Sequence, residues 1–340
     1  METEKILLIQ FGGLGDMILI TPAIRALSNR YPNASISILG FREYNCRFLL
    51  NYKNVNEIKE FNIYDLDIRQ ILKPRVFKSF FKITKHLRQN HYDLLISFRY
   101  LRLIDWLFFE WLIILMCKAK YRIGVNPPFL RRTSIYDQWL MCTYLKGKHF
   151  SDFFCDLLEH AGIDISSRHT EFPMNVNVIK EADRLLSSIP SDLSVVSVHT
   201  GGVRLNLEHE AWDTENYIYI VENLIKNGVF VVVLGSNEDI EQAKLIALAA
   251  GNRCLNLTGK TSVEEMAAII KRSKLFIGSD SGPFHVAVAV GTAAIGIFTR
   301  KVDEPEYYLY ANKNVFVLRD SEKYISAREI VLKKASDFLT

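Results

Sequence analysis

Two glycine-rich segments carry the side chains best suited to chemistry. The first, Gly12-Gly13-Leu14-Gly15-Asp16, sets three glycines in four positions just ahead of an aspartate. Glycines there let a ligand approach the backbone closely. A carboxylate at such a turn can serve as a general base, and Asp16 also reads as a plain helix cap. The second segment is Gly278-Ser279-Asp280-Ser281-Gly282-Pro283-Phe284-His285. Pro283 suits a first helical turn and Ser281 or Gly282 its cap. Free backbone N–H groups and the positive dipole end would then suit a diphosphate. His285, one turn in, is placed to donate to a phosphate oxygen or a ribose hydroxyl. Capping explains Ser281 and Pro283 but not the flanking Asp280 and His285. Two further loops, His199-Thr200-Gly201-Gly202 and Gly235-Ser236-Asn237-Glu238, add hydroxyl, amide and carboxylate groups. Glu238 can accept from ribose hydroxyls. Together, three polar, glycine-bearing loops read as a nucleotide site. The first loop is not the dinucleotide fingerprint G-x-G-x-x-G, because its third glycine position is Ile18 and no acidic residue ends the second strand. A nicotinamide enzyme is therefore disfavoured.

Those loops need parallel strands behind them. Lys5–Phe11 (KILLIQF) is a continuous apolar run ending in glycines, as in a strand buried on both faces. Residues 16–29 then carry apolar side chains at helical spacing, and Ser35–Leu39 is a second strand, which completes a βαβ unit. Further strands are expected at 55–62, 93–98 and 121–125, with a crossover helix over Phe77–Arg88. The pattern restarts with strands at Ser194–His199, Val229–Leu234, Leu255–Leu257, Lys274–Ile277 and Ala294–Phe298. Helices are expected at 216–227, 240–250, 262–272 and 283–290. Two βα series in 340 residues predict two doubly wound α/β domains joined by a polar linker near 166–180. Their ligands belong in loops beyond the carboxyl ends of the strands.

Composition narrows the class further. The chain is 49% hydrophobic with a net charge of +4, which excludes disorder. The charge is uneven: residues 1–175 hold 24 Lys/Arg against 17 Asp/Glu, and residues 176–340 hold 18 against 21. The basic excess concentrates in residues 68–91, which lack any acidic residue. Arg75, Lys78, Lys82 and Lys85 fall on one helical face there, with Phe77, Phe80, Phe81 and Leu87 supplying apolar surface elsewhere. That stripe is either a solvated face or a docking surface for anionic membrane or a phosphorylated acceptor. Arg131 and Arg132 would extend it. No nucleic-acid motif is present. Five scattered cysteines without metal spacing read as reduced thiols of a cytoplasmic protein. METEKILLIQFGG does not read as a signal peptide. The stretch Trp106–Cys117 is too short for the ~20 residues of a spanning helix. It reads as a buried or interface helix, or as an interfacial membrane contact.

These residues resemble the ADP-heptose:lipopolysaccharide heptosyltransferases, glycosyltransferase family 9, over nearly the whole chain. The segments KILLIQFGGLGDMILITPAIRAL and LNLTGKTSVEEMAAIIKRSKLFIGSDSGPFHVAVAVGTAAIGIF carry the likeness, with YDLLISFR, AKYRIGV and VVVLGSNEDIEQA in support. The resemblance implies a GT-B fold: two Rossmann-like, doubly wound parallel-sheet domains facing a central cleft. The expected divisions are 1–172 for the acceptor side, 173–322 for the nucleotide sugar, and a helix at 323–340 packing back on the first domain. It implies inverting, metal-independent transfer of a sugar, plausibly heptose, from a nucleotide-diphosphate donor, ADP-heptose foremost, with no further cofactor. Asp16 takes the place of the catalytic base. Donor contacts fall on Gly13, Gly15, Thr200, Gly201, Glu238, Lys260, Asp280, Ser281, Gly282 and His285. Lys78, Lys82, Lys85, Arg122, Arg131 and Arg132 fall to an anionic glycolipid or oligosaccharide acceptor, or to peripheral contact with the cytoplasmic face of the inner membrane.

One departure stands out. The family carries a phosphate-binding lysine two residues before a Trp-Pro pair. Here that position is Glu210, and Trp212 precedes Asp213. A carboxylate there repels a diphosphate, and Arg204 in the same loop is the candidate substitute. Glu210 also favours a second reading, a non-catalytic nucleotide-sugar or glycan-binding protein on a degenerate GT-B scaffold.

Overall fold

A computed structural model describes residues 3–62, 74–99, 104–127, 129, 134–145, 148–201, 212, 214–298, 313–319 and 324–340. Arg75's side chain, Arg131, Arg132, Arg204 and Glu210 lie outside these. The chain divides into two units at Pro173/Met174.

The first unit holds the parallel strands β1 (Lys5–Gln10), β2 (Ser35–Gly40), β3 (Val55–Glu60), β4 (Leu94–Ser97), β5 (Tyr121–Asn126) and β6 (Gln138–Met141), in the order β3-β2-β1-β4-β5-β6. Its helices are α1 (Leu14–Leu19), α2 (Thr21–Arg30), α3 (Glu43–Cys46), α4 (Pro74–Asn90), α5 (Ile104–Cys117) and α6 (Phe150–His160). The second unit repeats the plan. Helix α7 (Val176–Leu185) precedes strands β7 (Ser194–His199), β8 (Val229–Leu234), β9 (Cys254–Asn256), β10 (Leu275–Ser279), β11 (Ala293–Phe298) and β12 (Val315–Arg319). Their order is β12-β11-β10-β7-β8-β9, again all parallel. Around them lie α8 (Thr214–Lys226), α9 (Ile240–Ala250), α10 (Val263–Arg272), α11 (Gly282–Val290) and α12 (Tyr324–Leu339). Each sheet therefore reverses strand order once, between β1 and β4 and between β7 and β10. Crevices at such switch points receive ligands in open α/β sheets.

The buried runs β1 (ILLIQ) and β8 (VFVVVL) match the apolar segments expected of two-face strands. The helix expected over residues 16–29 is two helices. Pro22 sits in the first turn of α2, where its missing N–H costs nothing, and Thr21 Oγ1 donates to the Ile18 carbonyl across the break. The edge strands β6 and β12 have no counterpart in the sequence reading. Both are short and mostly half-buried, and a run as brief as VFVL in β12 is not told from other apolar segments by pattern alone.

The polar segment before the boundary is tied to the first unit. Arg25 pairs with Glu171 at 2.7 Å, Tyr52 Oη donates to Glu171 at 2.5 Å, and Phe172 stacks on Phe48. Helix α12 packs on α8, β10, β11 and β12, burying Ala327, Val331 and Ala335 in the second unit's core. Small side chains at i, i+4 and i+8 give it one flat face, which is covered there.

The Trp106–Cys117 stretch lies in α5, which buries Phe109, Ile113, Ile114 and Cys117 in the first unit's core. No helix among the described residues is long and apolar enough to cross a membrane. Helix α4 covers α5 with Phe80, Ile83, Thr84 and Leu87, and Phe80 meets Phe61 and Phe109 with ring centroids 6.4 Å from each. Phe77 and Phe81, by contrast, point outward with the lysines, so the apolar surface is not confined to the face opposite the charge. Phe80→Ala should cost about 3–5 kcal/mol of stability, and Phe77→Ala under about 0.5. Urea unfolding midpoints measured on the two variants check this contrast.

Candidate functional site

In the first unit, β1 ends at Gln10 and the chain turns through Phe11, Gly12 and Gly13 into α1. Asp16 is the third residue of α1, and its Oδ2 accepts the Gly13 amide at 2.8 Å. That bond lets the Asp16 carboxylate hold the turn from one side, since a glycine cap has no side chain to reciprocate. It also explains Gly12, since a Cβ there would lie 2.4 Å from the Asp16 side chain. Capping and catalysis are thus compatible at Asp16: one oxygen is held by the loop, and the exposed side chain still offers its carboxylate to solvent. The protein surrounding it raises the carboxyl pKa above the usual range, opposed by the Gly13 and Asp16 amides.

Strand β4 ends beside β1, with the Phe98 amide donating to the Ile9 carbonyl at 3.0 Å. A residue missed in the sequence lies there. Arg99, 7% exposed, sets its guanidinium 5.5 Å from the Phe11 ring centroid and its Nε 3.3 Å from Glu110 Oε2. Glu110 is the single glutamate of apolar α5, and its Oε1 accepts from Ser97 Oγ at 2.6 Å. Burial raises its pKa, while Arg99, Ser97 and Tyr136 hold it down. The carboxylate anchors the arginine under the glycine turn. Its sequence signal is a glutamate amid an apolar helical run, which burial tolerates only with partners.

In the second unit, four neighbouring strand ends come together. His199 ends β7, with Nδ1 3.3 Å from Ser281 Oγ after β10 and Nε2 4.0 Å from Asp239 Oδ2 after β8. Ser279 Oγ donates to the Gly201 carbonyl, tying β7 to β10 a second time. Gly259, after β9, donates its amide to the Gly235 carbonyl at 2.9 Å, and its α-carbon packs against Asn237. Asp239 is a second missed residue. It is 6% exposed and takes both the amide and hydroxyl of Ser236, at 2.7 and 2.8 Å. The spacing Ser236-x-x-Asp239 is a capping-box signature legible in the sequence.

Helix α11 opens with Ser281 at its cap position, yet the Ser281 hydroxyl makes no capping bond. It contacts the His199 ring and donates to the Ser279 carbonyl instead. Pro283 brings no N–H. The Phe284 amide is taken by the Ser281 carbonyl at 3.1 Å, so the helix start offers the Gly282 amide and its dipole to a ligand. Asp280, Ser281 and Gly282 are half-buried at this start, and His285 is buried beside Phe284. Glu238 is exposed next to buried Asp239. Lys260 is exposed after β9, its Nζ on the Asn256 carbonyl at 3.0 Å. The Thr200 side chain is buried, with Oγ1 3.4 Å from Gln242 Oε1.

Of the other sequence candidates, Gly13 and Gly15 lie with Asp16, and Lys78, Lys82 and Lys85 are exposed along α4. Arg122 stands apart. It lies in the first half of β5, away from the strand's carboxyl end, and pairs with Asp137 at 3.4 Å. All five cysteines are free thiols, four buried and Cys254 half-buried.

The family description "Glycosyltransferase family 9 (heptosyltransferase)" fits residues 80–334. Lipopolysaccharide heptosyltransferase 3 of Escherichia coli is 24% identical over 291 residues, 84% of this chain and 80% of that protein. The lipopolysaccharide core heptosyltransferase OpsX of Haemophilus influenzae is 22% identical over 302 residues, covering 87% and 79%. A glycosyltransferase family 9 structure from Veillonella parvula superposes with a TM-score of 0.79 at 19% identity, covering 100% and 98%. Heptosyltransferase WaaC of Escherichia coli, solved with ADP, gives 0.73 at 15% identity, covering 98% and 99%. These superpositions carry the fold, two Rossmann-like domains of GT-B type.

The contact between Gly201 and Asp239 is open to direct test. A Cβ on Gly201 would lie 2.0 Å from Asp239 Oδ1. Gly201→Ala should cost about 1–3 kcal/mol by overpacking. In an Asp239→Ala background that cost should largely vanish. Equilibrium unfolding of the two single variants and the double variant reads the coupling.

Proposed function

The chain belongs to glycosyltransferase family 9, the heptosyltransferase family, and from that premise we propose that it moves heptose from ADP-heptose to a lipopolysaccharide-type acceptor, inverting the anomeric centre. It is a glycosyltransferase with a nucleotide-sugar donor. The observation that carries the finer reading is the start of α11, uncapped by its own serine and surrounded by three other polar strand ends. The donor's diphosphate belongs there, drawn by backbone amides and the helix dipole. Lys260, and Arg204 in place of the family lysine, supply positive charge. Glu238 takes ribose hydroxyls, while Asp239 holds the loop from beneath.

Asp16 is the base. The acceptor hydroxyl oxygen attacks the anomeric carbon from the face opposite the diphosphate and forms the new glycosidic bond. Asp16 takes the hydroxyl proton, the bond from the anomeric carbon to phosphate oxygen breaks, and the nucleoside diphosphate leaves with the electron pair. Charge growing on the leaving oxygen is met by the Gly282 amide and the α11 dipole, already in place, so they help the transition state more than the ground state. The upward pKa of Asp16 suits it, since a base works best near the operating pH. No step of this sequence calls on a metal. Family membership and this exposed carboxylate favour catalysis over the non-catalytic reading that Glu210 raised. An anionic glycolipid acceptor puts the reaction at the cytoplasmic face of the inner membrane.

Asp16→Asn keeps the side chain's size but cannot take the proton. Transfer should fall about 10²–10⁴-fold, with the donor dissociation constant changed less than about twofold. Calorimetric titration of the donor beside a transfer assay reads both. Turnover near that of the unsubstituted protein would remove Asp16 from the mechanism.

A further inference from the structure

The exposed face of α4 joins two chemistries, aromatic and cationic. Phe77 is 61% exposed and Phe81 57%, while Phe80 on the same helix is buried. With each residue turning the helix by about 100°, Phe77 and Arg88 lie within about 40° of Phe81, Lys85 and Lys78 within about 60°, and Lys82 at about 100°. Phe77, Phe81 and Lys85 form one i, i+4, i+8 row, and Lys78 and Lys82 form the row beside it. Lys78, Lys82, Lys85 and Arg88 are all exposed. The helix contains no Asp or Glu. The one described acid paired to it, Glu57, meets His86 at its flank and is shared with Lys59.

From this juxtaposition we infer that α4 is an interfacial docking helix for a bilayer surface bearing anionic lipid headgroups. Two adjacent exposed phenyl rings are poorly solvated in water. In a headgroup layer they enter the acyl boundary while the flanking ammonium groups stay among the phosphates. A purely solvated face needs no aromatic pair, and a purely electrostatic one needs no rings. Charge complementarity favours the bilayer over a second copy, because two such cationic faces repel each other. The helix is already anchored: its inward face is fixed on α5 through Phe80, Ile83 and Leu87, so the outer face is presented without rearrangement. The inference deepens the proposed function, and it rests on that reading only for its use, which is to bring the enzyme to a lipid-linked acceptor.

Flotation of the full chain with phosphatidylcholine vesicles, with and without phosphatidylglycerol, tests it. The unsubstituted protein should float with the anionic vesicles and stay behind with the neutral ones. Phe77→Ala/Phe81→Ala should weaken binding at least about tenfold, with an unchanged unfolding midpoint and unchanged transfer to a water-soluble acceptor fragment. Lys78→Glu/Lys82→Glu/Lys85→Glu should lose more, since each lysine near an anionic surface contributes about fivefold. Asp16→Asn should float like the unsubstituted protein, so failure of the catalytic reading and failure of this one remain distinguishable. No flotation of the unsubstituted protein with anionic vesicles would overturn the inference. So would undiminished binding by the double phenylalanine variant, or concentration-dependent self-association in sedimentation that this variant abolishes.

Discussion

A carboxylate folded back against a glycine organises the chemistry of both units. Asp16 lies 2.4 Å from where a Gly12 Cβ would stand, and Asp239 lies 2.0 Å from that of Gly201. Each acid accepts a backbone amide at the start of its own helical turn, and at Asp239 the Ser236 side chain completes a capping box. Each therefore forbids a side chain on the glycine it presses. The glycine loops are short of side chains because acids fill their space, as well as because ligands approach them. The two acids differ in access. Asp239 is buried and structural, and through it His199, Ser236 and Gly201 hold one arrangement. Asp16 is exposed, with an oxygen to spare. The same local device yields a scaffold in one unit and, in the proposed mechanism, a base in the other.

The sheets supply the rest. A parallel sheet with one reversal of order leaves its ligand crevice at a fixed place, and this chain builds that order twice. In the first unit the reversal brings Arg99 beside the turn that carries Asp16. The Ser97–Glu110–Arg99 cluster holds a cation under that turn without exposing it, and it does so by burying a carboxylate in an otherwise apolar helix. In the second unit the reversal lies between β7 and β10, and α11 starts directly after β10 with Ser281 against His199 at the end of β7. There the serine hydroxyl does not cap the helix, and the proposed function puts phosphate at that start.

Much of this is legible in the sequence, and the physics says which parts. Buried parallel strands are continuous apolar runs, so β1, β7, β8, β10 and β11 can be placed close to their ends. The strand-end loops follow from them, and with them Asp16 and the 278–285 turn. The edge strands β3 and β9 can still be marked, at 55–62 and 255–257, whereas β6 (QWLM) and β12 (VFVL) are too brief to be told from other apolar segments. Adjacent acids are ambiguous: Glu238 and Asp239 differ by one position, and only the fold shows which one turns inward. On α4 the charge is plain from sequence, but the division of its phenylalanines is not. Phe80 turns inward while Phe77 and Phe81 share the cationic side, because the angular offset between Phe81 and Lys85 is smaller than a composition count reveals. The apolar face of α12 is equally visible in sequence, but which surface it covers depends on tertiary packing.

The proposed chemistry rests on Asp16 acting as a base, and the surrounding protein pushes its carboxyl pKa up. The most direct measurement is the pH dependence of the single-turnover transfer rate with saturating donor. A base must be deprotonated to act, so the rate should rise with pH and level off once Asp16 has ionised. Its half-rise should lie above the ~4 typical of an unperturbed aspartate, the direction in which desolvation by the surrounding protein moves this carboxyl. A rate flat across that region, or one that falls as pH rises through it, would contradict the assignment.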